Sequence, residues 1–186
     1  MRKLRYSMGV SLDGYIAGPG GDIDWGVPSK ELHSFHNEET GALGAHLLGR
    51  RLYEVMLIWE TADDSRWEAD HEREFARIWK ELPKVVFSRT LEKVEGNARL
   101  VKENVVDEVA RLKEQPGRDL AVGGATLAAT LTKAGLIDEY GLFVNPAVIG
   151  AGTRFFEGVE RKIDLELVGS RTFGDVVYLR YGRNQG

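Results

Sequence analysis

Three features of this 186-residue chain predict an α/β fold built on a mixed, mainly parallel sheet. Through the first two thirds, short apolar runs suited to strands alternate with segments of helical periodicity, the pattern of parallel strands joined by crossover helices. The last third reads as strands closed by a Gly174-Asp175 hairpin turn, which adds an antiparallel ladder to the parallel part. No internal repeat or low-complexity linker interrupts the chain, and its length is near that of one domain, so residues 1–186 are expected to form a single unit with helices on both sheet faces.

The elements follow in order. Leu4 to Val10 alternates loosely between apolar and polar residues as a strand does, and the glycines Gly14, Gly18, Gly20 and Gly21 mark a long loop after it. Pro28-Ser29 introduces a helix over Lys30 to Thr40, with Ser29 as N-cap and Leu32, Phe35 and His36 on one face. Ala45 to Leu48 is a short apolar strand closed by Gly49, and Arg50 to Met56 has helical composition. Glu72 to Leu82 places Phe75, Ile78, Trp79 and Leu82 at helical spacing, and Pro83 ends it. Lys84 to Phe87 reads as a buried strand, Arg99 to Val101 as a short one, and Val105 to Lys113 as a helix with Val105, Val109 and Leu112 inward. Asp119 to Val122 is a further strand, and after Gly123-Gly124 an alanine-rich helix runs from Ala125 to Ala134 with Gly135 as its C′ residue. Tyr140 to Ile149, Ile163 to Phe173 and Val176 to Tyr181 complete the strands.

Composition removes several classes of function. A net charge of −4 offers no general attraction to nucleic acid, so a phosphate-bearing ligand requires local basic residues. No segment approaches a membrane span, and the basic start lacks the apolar run of a signal peptide. The absence of cysteine excludes disulfides, thiolate catalysis and cysteine-bound zinc, and fits a cytoplasmic location.

Three junctions carry the chemistry. Gly123-Gly124 between a strand and the helix at Ala125 is an arrangement that favours phosphate: glycine permits close backbone approach, and the first helical turn presents unpaired N–H groups at the positive end of the dipole. A tight strand-helix connection would use the same residues, and Thr126 adds a hydroxyl. Gly49-Arg50-Arg51 and Ser88-Arg89-Thr90 occupy two other strand ends. Ligands in open α/β sheets gather at such carboxyl ends, so the three sites are expected to converge on one phosphorylated nucleotide. Two arginines near a ribose favour the 2′-phosphate of NADP over NAD.

Other motifs count for less. Gly150-Ala151-Gly152-Thr153-Arg154-Phe155 begins like a dinucleotide fingerprint but has Phe155 in place of the third glycine and no following helix, so the Rossmann reading is rejected. No P-loop occurs. His33 and His36 are read as partly buried or surface histidines rather than ligands, and no metal is predicted. Trp59, Trp67 and Trp79 are core or cleft-wall candidates. Trp25 stands in a glycine-rich loop just before the first helix and is the candidate substrate contact.

Together, Ser11-Leu12-Asp13-Gly14-Tyr15-Ile16-Ala17, Asp24-Trp25, Leu48-Gly49-Arg50-Arg51-Leu52-Tyr53-Glu54, Ser88-Arg89-Thr90 and Val122-Gly123-Gly124 resemble the dihydrofolate-reductase-like superfamily, and within it the RibD C-terminal reductase family. Leu136-Ile137-Asp138-Glu139, Pro146 to Gly152 and Phe155-Phe156 look like the same branch. The resemblance implies a dihydrofolate-reductase-like sheet with NADPH across its strand ends. It assigns Ile16 and Ala17 to the nicotinamide, Gly49, Arg50, Arg51, Ser88 and Arg89 to the adenosine phosphate end, and Gly123, Gly124, Ala125 and Thr126 to the pyrophosphate. The deaminase half of bifunctional RibD proteins is missing. Two departures from dihydrofolate reductases stand out: Leu52 replaces the usual Thr, and Glu31 matches their helix carboxylate only one residue out of register. Both disfavour folate.

The expected reaction is hydride transfer from NADPH to a C=N or C=O carbon of a small heterocyclic or ribosylated pyrimidine, of the riboflavin-biosynthesis type. Asp13 or Glu31 would orient the substrate or relay a proton. Asp13 serves equally as a turn residue before Gly14. Dihydrofolate reduction is an alternative, and an NADPH-binding or sensing protein without turnover is the rival from another class. A homodimer through the C-terminal strands is also expected, because a sheet edge would otherwise be open.

Overall fold

The computed structural model describes residues 1–184. In chain order its elements are β1 (Leu4–Ser11), β2 (Tyr15–Ala17), α1 (Lys30–Gly41), β3 (Ala45–Gly49), α2 (Arg50–Thr61), α3 (Asp70–Glu81), β4 (Lys84–Phe87), β5 (Ala98–Val101), α4 (Val105–Glu114), β6 (Leu120–Gly123), α5 (Ala125–Lys133), β7 (Glu139–Asn145), β8 (Thr153–Arg154), β9 (Leu165–Phe173) and β10 (Val176–Arg183). The main sheet has eight strands in the order β5-β4-β3-β6-β1-β7-β10-β9. All neighbours from β5 to β7 are parallel, and β10 runs antiparallel to both β7 and β9. The architecture is the expected mixed, mainly parallel sheet with a C-terminal antiparallel hairpin.

The period-two alternation of β1 sorts the two layers. Leu4 and Tyr6 turn toward α4 and α5, where Val109, Leu112, Leu127 and Leu131 close the larger core. Arg5 and Ser7 face the other way, toward α1. On that second face α1 sits against β7, β10 and β9 through Leu32, Phe143, Phe173 and Tyr178, while α2 and α3 bury Tyr53 and Trp79 against Leu48 and Val86. Trp79 is 2% exposed, and burying such a side chain contributes roughly 1.5–3 kcal/mol, which pins α3 to the sheet. Ser29 caps α1 as its sequence indicates, accepting the Leu32 N–H at 3.3 Å.

Several boundaries differ from the sequence reading for local reasons. α2 continues to Thr61 rather than stopping at Met56, because Leu57 and Trp59 extend its buried stripe. β7 ends at Asn145 instead of Ile149, since Pro146 has no N–H for the ladder and Gly150 at φ 77° and Gly152 at φ 133° turn the chain. β2, which falls in the loop expected after β1, and β8, where no element was expected, pair with each other through Tyr15↔Arg154 and Ala17↔Thr153. Among the described residues no helix is long and apolar enough to cross a membrane.

Candidate functional site

The parallel register sets the geometry. Gly49 at the end of β3 lies opposite Phe87 of β4, and Leu48 lies opposite Gly123 of β6. Strands spaced about 4.8 Å apart therefore bring Gly49, Ser88 and Gly123-Gly124 to neighbouring positions on one sheet edge. The β3–α2 and β6–α5 junctions touch backbone to backbone: a Cβ on Gly124 would lie 3.5 Å from the Gly49 nitrogen. Gly124 has φ 100° and ψ 122°, a conformation L-residues rarely adopt. At Gly123 the crowding comes from side chains: a Cβ there would lie 2.3 Å from Leu52 Cδ2 and 3.3 Å from His46 Nε2, so the end of Leu52 would have to turn aside.

Both junctions leave helix N-termini open. Neither α2 nor α5 has a side-chain cap or an acidic residue in its first turn. By contrast α1 is capped by Ser29, and in α3 Glu72 accepts the Ala69 N–H at 3.1 Å. The first-turn N–H groups of Arg50, Arg51, Ala125 and Thr126 have no intrahelical partner, and two such N-termini at adjacent strand ends are an arrangement able to hold an anion. Arg50 donates to Glu54 Oε1 at 2.7 Å and to Thr90 Oγ1 at 2.6 Å, which ties α2 to the turn after β4. Ser88 Oγ accepts the Thr90 and Leu91 N–H groups and shapes that turn, while Arg51 and Arg89 are exposed beside it.

Ile16 and Ala17 lie on β2, beyond the carboxyl end of β1. A latch holds that strand to the loop after β7. The Asp13 carboxylate accepts from the Ser11 hydroxyl at 2.7 Å, from the Ile149 N–H at 3.2 Å and from the Gly150 N–H at 2.8 Å. Phe155 N–H donates to Gly14 O at 3.0 Å, and a Cβ on Gly152 would fall 2.0 Å from Ala17 O, so only glycine fits there. The Ser11 hydrogen bond, followed by those from Gly150 and Ile149, holds the Asp13 carboxyl below its ordinary pKa. An acid so held is ionised at neutral pH and donates no proton readily; the geometry fits positioning.

Glu31 is not brought to this edge. Its carboxylate is exposed and meets Arg171 Nη2 at 3.3 Å on β9, at the far margin of the sheet from β3. Five strand spacings of about 4.8 Å separate β3 from β9. Arg171 in turn lies over the rings of Phe35 and Phe173, which anchors the pair on that side. Trp25 is partly exposed in a single 3-10 turn, its indole N–H donating to Asp22 O at 3.2 Å.

The sequence reading missed a cavity of about 280 Å³ beneath α1. His33 and His36 hang from α1 and His46 rises from β3, with Trp59, Phe75 and Phe143 among the walls. The His36 ring lies 4.4 Å from Phe143 and His46 lies 5.5 Å from Trp79. Burial pushes His36 and His46 down to about 4, with smaller contributions from His33 and Lys84 respectively. His33 is lowered as well, first by burial and then by His71. The three-residue spacing of His33 and His36 was the one local signal. Among the described residues no group of three or more His, Asp or Glu side chains is placed to hold a metal ion.

The mixed sheet, the crossovers and the C-terminal hairpin define a dihydrofolate-reductase-like fold. The model of the RibD C-terminal domain family matches residues 2–179, and the chain belongs to that family. It is 33% identical to YyaP of Bacillus subtilis, over 98% of this chain and 96% of that one. Among solved structures it resembles a riboflavin-biosynthesis protein of Shewanella sp. PV-4, with a TM-score of 0.79, 24% identity and full coverage of both chains. It also resembles the dihydrofolate reductase of Enterococcus faecalis in complex with NADP(H), with a TM-score of 0.66 and 16% identity over 98% of this chain and 97% of the other.

Proposed function

We propose that this chain is an NADPH-dependent reductase. It acts on a C=N or C=O carbon of a small heterocyclic or ribosylated pyrimidine acceptor, in the manner of the 5-amino-6-(5-phosphoribosylamino)uracil reductases of riboflavin biosynthesis. The observation that carries this reading is the pair of uncapped helix N-termini at adjacent strand ends, with a cradle at Gly49 and Gly124 that a Cβ would fill. Gly123, Gly124, Ala125 and Thr126 would hold the pyrophosphate, and Gly49, Arg50, Arg51, Ser88 and Arg89 the adenosine end. The arginines favour a 2′-phosphorylated cofactor, because guanidinium pairs bidentately with phosphate. When bound, NADPH supplies hydride chemistry. The hydrogen bonds to Asp13 fix the loop after β7 beside β2, on which Ile16 and Ala17 would meet the nicotinamide.

The pairing of Glu31 with Arg171 speaks against a folate-type proton relay from that carboxylate, so dihydrofolate is the lesser candidate. The chain is expected to act in the reducing cytoplasm on a small molecule, with neither nucleic acid nor membrane as partner. The test sets NADPH binding, followed by nucleotide fluorescence, beside NADPH consumption with a panel of ribosylaminopyrimidines, pterins and simple heterocycles. Binding with consumption supports the reductase. Binding without consumption across the panel supports a non-catalytic NADPH sensor, and absence of binding removes both.

A further inference from the structure

The seam between α1 and α3 gathers three polar atoms that the fold leaves unpaired. Nδ1 of His33, Nδ1 of His71 and Oδ1 of Asn37 are buried without a hydrogen-bond partner. Buried groups of this kind are nearly always satisfied, so three on one seam point to a shared partner. His33 and Asn37 stand four residues apart on α1 and so share one face of the helix. His71 lies in the first turn of α3, its ring centroid 4.7 Å from that of His33. His71, Glu72 and Asn37 are all near enough to act on the charge of His33.

The Asn37 amide is held by its other end. Its Nδ2 donates to the His71 carbonyl at 2.9 Å and to Glu74 Oε2 at 2.9 Å, which uses both amide hydrogens. Oδ1 is therefore the free end, on a side chain that is 2% exposed. Trp59 and Phe75, with ring centroids 6.3 and 5.7 Å from His33, wall the imidazole on other sides.

Charge decides what fits. Glu72 and Glu74 put negative charge on the α3 side, while Arg73 is committed to Trp67 O, Glu68 O and Asp70, and Lys84 to Glu60. An anion would meet two carboxylates and no free cation. A cation would meet three lone pairs, with Glu74 behind Asn37 as an outer carboxylate that orients a ligand. Two imidazole nitrogens select a transition ion over magnesium or calcium, which take oxygen ligands. Nitrogens about 2.0–2.1 Å from one ion put two imidazole centroids about 5 Å apart, close to the spacing of His33 and His71. His33 also lines the cavity beneath α1, which gives an ion a way in.

We propose that His33, Asn37 and His71 form a site for a divalent transition ion of the zinc type, which clasps α1 to α3 and leaves a coordination position for water. The partner of His33 is then His71 across the seam and not His36, its neighbour on α1. An amide oxygen supplies the third donor, where no third imidazole or carboxylate is placed to do so among the described residues. The site is independent of the reductase reading.

The test is calorimetric titration of the tag-free full chain, stripped with chelator, with zinc chloride and with magnesium chloride. Zinc is expected to bind one-to-one and about tenfold or more tighter than magnesium. His71→Gln should weaken zinc about tenfold or more with its circular dichroism unchanged. The chain has four histidines, so nitrogen-15 NMR of the wild-type imidazoles gives a readout that does not depend on how a variant folds. Zinc should shift Nδ1 of His33 and His71 and leave the nitrogens of His36 and His46 in place. Equal affinity for the two ions, zinc bound with both Nδ1 resonances unmoved, or undiminished affinity in folded His71→Gln would overturn the assignment. Absence of zinc binding would overturn it as well and make a bridging water the shared partner.

Discussion

Gly123 and Gly124 are adjacent, yet their requirements for glycine differ and can be separated. Gly123 has an ordinary φ, so alanine is conformationally permitted and would even gain a few tenths of a kcal/mol by restricting the unfolded chain. What opposes it is the end of the Leu52 side chain, 2.3 Å from the new Cβ. Forcing Leu52 aside is overpacking, with a cost of about 1–3 kcal/mol and a net loss near 1–2 kcal/mol for Gly123→Ala. Leu52→Ala removes the obstacle and, because Leu52 is only half-buried, costs less than the 2–5 kcal/mol of a fully buried leucine. In the double variant the clash is gone, so the two losses should fall short of additivity by about 1–2 kcal/mol. For a chain of this size each kcal/mol shifts Tm by about 2–4 °C. Gly124→Ala differs: its φ of 100° strains any L-residue by about 1–3 kcal/mol, and Leu52→Ala leaves that strain in place. Urea denaturation of the single and double variants, with NADPH fluorescence titration of each, makes the comparison. Gly123→Ala with Leu52→Ala should keep most NADPH affinity, and Gly124→Ala should lose about tenfold or more, since its methyl enters the groove beside Gly49. A coupling within about 0.5 kcal/mol of zero would refute Leu52 as the group that excludes a side chain at Gly123.

Three further outcomes follow from the same geometry. Because His36 and His46 are depressed to about 4 in the fold and return to about 6.5 on unfolding, their contribution is complete above pH 6.5 and is lost as pH falls toward 4. The limit is about 3 kcal/mol each, less where water enters the cavity, and urea midpoints at pH 5 and 7.5 should converge in His36→Gln and His46→Gln if the rings are responsible. Asp13→Asn should speed amide exchange at Ile149 and Gly150 and lower turnover with the shape of its pH profile retained; a profile that loses one limb would restore Asp13 as a proton donor. A homodimer through β9 and β10, where Leu167, Val168 and Val177 are exposed, should dissociate in Leu167→Lys, as read by sedimentation velocity, and a wild-type chain that sediments as a monomer would end that proposal.

What was legible in the sequence was whatever is encoded over a few neighbouring residues. Ser29 before α1, Pro83 after α3 and the glycines after β3 and β6 each act on their own backbone, and the parallel sheet then places the strand ends side by side. The rest depends on residues far apart in the chain. Gly152 resembled part of a dinucleotide fingerprint, but its glycine is demanded by Ala17 O at 2.0 Å, a contact made only when β2 and β8 pair. Glu31 and Arg171 meet across 140 residues, and no helical periodicity near Glu31 signals which edge of α1 it will occupy. His33 and His36 looked like bland helix positions because their significance depends on His46, which reaches the same cavity from β3. Burial, rather than any motif, makes these three imidazoles unusual: the same residues on an exposed helix and strand would titrate near 6.5. The glycine turns at Gly49 and Gly123-Gly124, on which the proposed cofactor cradle depends, act on their own backbone and so show in the sequence. Side chains that meet only in three dimensions, as His33, His36 and His46 do around one pocket, leave no such local trace.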